Sequence, residues 1–99
     1  MDVDLSRLRH IVAIARTRSF SRAAEELHIT QPAISRSIAS FEQGFGLRLF
    51  DRSRAGVAPT AVGKLVIAEA ECMLRAARNL DRNLRLFASG ESGELAIGV

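Results

Sequence analysis

"ELHITQPAISRSIASFE", residues 26–42, is the stretch whose reading decides the fold. Ile34, Ile38 and Phe41 recur at helical spacing and mark one apolar side of a helix. At about 100° per residue, Ile38, Phe41 and Phe45 all fall within about 40° of Ile34. Pro32, Arg36, Ala39 and Gln43 fall on the opposite side, flanked by Ser35 and Ser40. A solvated helix face is usually built from Glu and Lys, yet no acid occurs between Glu26 and Glu42. Thr30 is the expected N-cap, and Pro32 lies in the first turn, where its missing N–H does no harm. Gly46 is the expected terminator. The outer face is therefore small, polar and free of carboxylates.

Upstream, Leu5, Leu8, Ile11, Val12 and Ala15 predict a helix from about Leu5 to Arg18, capped by Asp4. Ser21 is the predicted cap of a short second helix, Arg22 to His28. Its small face of Ala23, Ala24 and Leu27 permits close packing, and Phe20, just before the cap, plugs the core. Downstream, "LRLFDRSRAGVAPT" (residues 47–60) predicts a short hairpin with a polar turn at Ser53 to Gly56 and with Arg52, Ser53 and Arg54 near its tip. Helix, short helix, tight connection, helix and basic hairpin is the order of a winged helix-turn-helix.

Thr60 is the predicted cap of a long helix reaching about Phe87 or Ala88. Val66, Ala70, Met73, Ala77, Leu80, Leu84 and Phe87 are spaced 4, 3, 4, 3, 4 and 3 residues apart, a heptad seam. Such a helix is about 40 Å long, too long for the preceding 58 residues to cover, so a second copy of the chain is the expected partner. The fold class is mainly α. Residues 1–58 form the winged helix-turn-helix and 59–89 a linker and dimerisation helix. Residues 90–99 read as a hinge and the first strand of a further domain, so that the sequence is expected to stop just inside it.

Composition narrows the function classes. The chain has 99 residues, 47% hydrophobic and 25% charged, which fits one folded soluble domain with an extension. The early apolar run Ile11 to Ala15 is too short for a signal segment or a membrane span, so the expectation is a cytoplasmic protein with no membrane partner. Cys72 is the only cysteine, which excludes an internal disulfide, and in an apolar helical pattern it reads as a small core residue. No His, Cys, Asp or Glu pair has metal-ligand spacing, so no metal site is proposed. There is no Gly-rich phosphate loop, carboxylate pair or Cys–His arrangement, so no catalytic residue is proposed and an enzyme is not expected.

The net charge of +3 is unevenly placed. Residues 1–58 hold nine arginines against six acids, a balance of +3, and residues 59–99 hold five bases against five acids. Lys64 is the only lysine; the other bases are Arg, which suits bidentate contact with phosphate and guanine.

The DNA major groove admits one α-helix and displays hydrogen-bonding base edges. A helix entering it should be polar and free of repelling carboxylates, as the face of the third predicted helix is. Arg36 can fork onto guanine or hold a phosphate, and Gln31 can pair bidentately with adenine. Pro32 and Ala33 are small enough to meet a thymine methyl. The helix start at Thr30 offers N–H groups to a phosphate. Ser35 and Ser40 complete the face. Arg52, Ser53 and Arg54 would follow the backbone or enter the adjacent minor groove. The competing reading is an interaction module that binds an acidic protein with the same face. Competition by specific over random duplex DNA separates the two.

At these residues the sequence also resembles a known family. "FSRAAEELHITQPAISRSIASFE", then "GLRLFDRS", then "PTAVGK" are similar to the N-terminal domain of LysR-type transcriptional regulators, and the closing "GELAIGV" resembles the first strand of that family's effector-binding domain. The resemblance implies a bacterial regulator that binds promoter or operator DNA as a homodimer through the long helix, paired antiparallel, and as a tetramer in the full-length protein. It implies no cofactor in this fragment, and a small-molecule effector bound by the missing C-terminal domain. Mapped onto matching positions, it implies DNA contacts at Gln31, Pro32, Ser35 and Arg36, at Arg52 and Arg54, and at Ser21 or Arg22. Ser37 stands where the family often has Gln, and Gly44 is an unusual choice late in that helix.

Overall fold

The computed structural model describes residues 3–89, and the predicted hinge and strand at 90–99 lie outside the described residues. Four helices and a hairpin follow in order: α1 (Leu5–Thr17), α2 (Phe20–Leu27), α3 (Gln31–Phe45), β1 (Phe50–Ser53), β2 (Gly56–Pro59) and α4 (Ala61–Ala88). The architecture is the predicted one, mainly α with a two-stranded antiparallel wing. Among the described residues no helix is long and apolar enough to cross a membrane.

Side-chain caps define the helix starts. The Asp4 carboxylate accepts the N–H of Arg7 at 2.9 Å, and the Thr30 hydroxyl accepts that of Ala33 at 3.2 Å. The second helix starts earlier than predicted. Its cap is Ser19, which accepts from Arg22 N–H at 3.1 Å, so Phe20 is the first helical residue and Ser21 lies in the first turn. Both serines are chemically competent to cap, and packing chooses between them. This frame buries Phe20, whose ring meets Phe50 edge-on at 6.3 Å. Residues Arg18 and His28, read as helical, are instead left-handed C-caps with φ of 58° and 59°. His28, Ile29 and Thr30 thus form the tight connection that turns α2 into α3.

One core joins the elements. Leu8, Ile11 and Ile14 of α1 pack with Ala23 and Ala24 of α2 and with Ile34, Ile38 and Phe41 of α3. Leu49 and Phe50 close it from the wing side, and Ala70 and Leu74 enter from α4. The sequence stripe on α1 omitted Ile14, which is fully buried, and included Leu5, which is exposed. α1 packs against α2 and α3 on one side and α4 on another, so it buries more than one stripe. Phe45, in line with the α3 stripe, is exposed, because the chain turns away at Gly46 and the ring rests against Phe41 at 4.8 Å.

α4 corrects the seam. Ala70, read as a contact to a second copy, is completely covered in the core of its own chain, and Val66, read the same way, is half-buried against that core. Ala77 is half-buried in a groove between α1 and α4 beside Leu5, Val12, Leu27 and Leu74. The remaining seam positions, Met73, Leu80, Leu84 and Phe87, are exposed. Cys72 is also exposed rather than in the core. The start of α4 is tied down hard. The Thr60 hydroxyl donates to the Arg48 carbonyl at 2.6 Å and accepts the Gly63 N–H at 3.0 Å, while Thr60 N–H donates to the Leu49 carbonyl at 2.9 Å. Gly63 permits this approach, since a Cβ there would fall inside van der Waals contact with the Leu49 backbone.

Candidate nucleic-acid interface

Burial of Ile34, Ile38 and Phe41 dictates which way the rest of α3 points. Gln31, Pro32, Ala33, Arg36, Ala39, Ser40 and Gln43 are exposed, and Ser35 is half-buried at the margin. The Gln31 amide donates to the Ser35 hydroxyl at 3.3 Å, one turn along, which lays Gln31 over the helix start. Thr30 is exposed, but its hydroxyl is occupied as the cap. Ser21 and Arg22 are exposed on the first turn of α2.

The wing pairs Phe50 with Pro59, Asp51 with Ala58, Arg52 with Val57 and Ser53 with Gly56. Side chains alternate across a strand, so Arg52 shares its face with buried Phe50. Its guanidinium lies 4.0 Å above the Phe20 ring, a cation–π contact that holds it against the body instead of at the tip. Ser53 is also spent locally: its hydroxyl donates to the Gly56 carbonyl and accepts from Ala55 N–H, both at 3.3 Å. Arg54 is the exposed cation in the turn itself. Ser35 and Ala39 of α3 and Arg48 and Arg52 line one cleft between α3 and the wing, together with Phe20 and the acids Glu42 and Asp51. Of the predicted contact residues the cleft gathers Ser35 and Arg52, whereas Ser21, Arg22 and Arg54 do not line it.

Three features were missed in the sequence. Arg48 joins this cleft; its ion pair with Asp51, 3.9 Å apart and well exposed, ties it only weakly. Glu42 accepts the N–H of Leu49 at 2.7 Å and of Phe50 at 3.4 Å, fastening the end of α3 to the wing. Its only signal was being the first acid after a long gap. His10 Nδ1 meets Ser37 Oγ at 2.7 Å across the α1–α3 contact. No local pattern announces a pairing 27 residues apart.

The acids that bracket α3 are both engaged. Glu26 is paired with Arg16 of α1, and the hydrogen bond from that guanidinium is the main reason its carboxyl titrates below the usual range. Glu42 faces the wing N–H groups. Neither leaves an unpaired carboxylate beside the outer face of α3. Among the described residues no group of three His, Cys, Asp or Glu could hold a metal ion.

Burial pushes the His10 imidazole below its ordinary pKa; Asp4 opposes this, and Arg7 and Arg9 reinforce it. The folded pKa therefore lies below the unfolded value of 6.5. The unfolded chain binds the proton more readily, so acidification through that value costs stability, and above it the group contributes no penalty. Thermal unfolding followed from about pH 7.5 to about pH 5.5 should show a falling midpoint, and His10→Asn should flatten that fall. An identical pH dependence in the variant would remove His10 as its source.

Comparison with known proteins fits this geometry. The profile of the "Bacterial regulatory helix-turn-helix protein, lysR family" matches residues 5–64. The "SDS degradation transcriptional activation protein" of a Pseudomonas species is 44% identical over 96 residues, covering 97% of this chain and 31% of that protein. The chain spans about a third of the length of most of the curated relatives it matches. Among solved structures, a BenM_DBD/catB site 1 DNA complex superposes with a TM-score of 0.83 at 32% identity, covering 89% of this chain and 95% of that one. DarR of Vibrio fischeri in complex with DNA superposes with a TM-score of 0.81 at 29% identity, covering 90% of this chain and 30% of that one.

Proposed function

The chain belongs to the lysR family of bacterial regulatory helix-turn-helix proteins, and from that premise we propose that it reads operator DNA as a dimer, with α3 in the major groove and the wing on the backbone or in the adjacent minor groove. It is a DNA-binding domain of a transcriptional regulator, as its relatives are named, and not an enzyme. The observation that carries the groove assignment is the outer face of α3. It is exposed, free of carboxylates, and led by Gln31, Pro32, Ser35 and Arg36 at the end of the helix that a reading helix presents to bases.

The residues divide by role. Arg36 and Gln31 read base edges, and Pro32 and Ala33 meet thymine methyls. Ser40 lies along the same helix face. Ser21 and Arg22, at the start of α2, and Arg54, in the wing turn, contact phosphate or the minor groove. Arg48 and Arg52 approach the backbone from the cleft, with Arg52 held by Phe20. Phosphate contacts supply most of the affinity, and base contacts choose the site.

The dimer is built by the outer half of α4. Leu80, Leu84 and Phe87 are 59%, 57% and 51% exposed, a continuous apolar edge with Met73 that a lone chain leaves in water. The pairing is taken as antiparallel, as the resemblance to the family implies. A two-fold dimer calls for an operator with dyad symmetry.

Arg36→Ala tests the groove assignment. It should weaken binding to a selected operator by about 1–3 kcal/mol and relax the preference at the bases it contacts. Binding curves on operator and random duplex at one salt concentration read both effects. Equal loss on both duplexes would make Arg36 a phosphate contact, and no loss would point to the acidic-protein reading of this face.

A further inference from the structure

We propose that His10 is a positioning residue for base recognition: through its hydrogen bond to Ser37 it fixes the rotation of α3 about its own axis, and so the angle at which Gln31, Ser35 and Arg36 meet the base edges. The proposal rests on α3 being the reading helix.

The contact that seats α3 is apolar, and apolar burial is non-directional. Close packing of Ile34, Ile38 and Phe41 resists lifting and limits rolling of the helix on the core. Directional contacts on its flanks fix the remaining roll. Ser37 lies about 60° to one side of Ile34 and Glu42 about 80° to the other. Ser37 is bound to His10 of α1 at 2.7 Å, and Glu42 to the Leu49 N–H at 2.7 Å. The two flanks of α3 are thus pinned to different elements, as two stays hold a mast.

Base reading needs that precision. A roll of about 20° carries an atom about 6 Å from the helix axis through about 2 Å. Hydrogen bonds tolerate a few tenths of an ångström. Phosphate contacts made by long, mobile arginines absorb such a shift far better. Losing the pin therefore costs discrimination between sequences before it costs affinity for DNA in general. Ser37 is next to Arg36 yet half-buried, because its hydroxyl is turned to the body of the domain. It acts through position and need not touch a base.

The test measures the ratio of affinities for a selected operator and a random duplex at fixed salt. His10→Phe keeps a ring of similar volume and removes Nδ1, Ser37→Ala removes the hydroxyl, and His10→Asn places an amide nitrogen near the position of Nδ1. His10→Phe and Ser37→Ala should each lower the ratio by about fivefold to tenfold, by misplacing one bidentate contact, with random-duplex binding unchanged. The double variant should lose no more than either single one, and His10→Asn should restore the ratio. An unchanged ratio in both single variants, a parallel fall on both duplexes, or multiplied losses in the double variant would overturn the positioning role. Arg36→Ala run alongside separates the two failures. If it lowers the ratio while the pin variants do not, the positioning role alone falls. If it leaves the ratio unchanged as well, the reading of α3 falls with it.

Discussion

Ile34→Ala is expected to lower the unfolding free energy by about 2–5 kcal/mol, the usual cost of emptying a fully packed aliphatic site. Ile34 is completely covered and is the first residue of the α3 stripe, in the core shared with α1 and α2. Total stabilities of small domains are about 5–15 kcal/mol, so this single change removes a large share. Urea unfolding of the variant beside the parent chain reads the difference. Operator and random-duplex binding should fall together, in proportion to the folded fraction lost, because the outer face is unaltered. A loss below about 1 kcal/mol would mean that the site collapses freely and that the core does not hold α3 as tightly as its burial implies.

Leu80→Asp should have little effect on the single chain and a large one on the pair. Leu80 is 59% exposed, so within one chain the substitution behaves as a surface change, within about 0.5 kcal/mol. In the dimer the same position lies between two apolar edges, and a carboxylate there is desolvated without a partner. The variant should sediment as a monomer with an unchanged melting profile at low concentration. Its affinity for an operator of two half-sites should drop about a hundredfold or more, because the second half-site is no longer reached from a linked partner. A Leu80→Asp protein that still sediments as a dimer would move the interface to another face of α4.

How far the fold is legible in the sequence depends on how local each determinant is. Asp4, Thr30 and Thr60 cap helices through their own side chains, and Gly46 ends α3 with φ of 66°, so short-range chemistry placed those boundaries. The same logic failed at "RSFSRAA", where two serines compete and the burial of Phe20 against Phe50 decides. Periodicity found the seam of α4 but not its partners. It counts apolar positions and does not record that the core of the same chain already covers Ala70 and part of Val66. Cys72 fell to the same blindness. In the candidate interface, the face of α3 was readable because it needed only helical spacing and the absence of acids. The contact of Arg52 with Phe20, the hold of Glu42 on the wing and the His10–Ser37 bond join separate elements, and nothing short of the folded chain brings them together.

The most direct test of the central claim is selection of bound duplexes from a random DNA library at physiological salt, followed by sequencing and a search for symmetry. Sequence-specific reading by paired α3 helices predicts an enriched motif with dyad symmetry and half-sites about one helical turn apart or a multiple of it. Uniform, salt-sensitive retention with no enriched motif would contradict it.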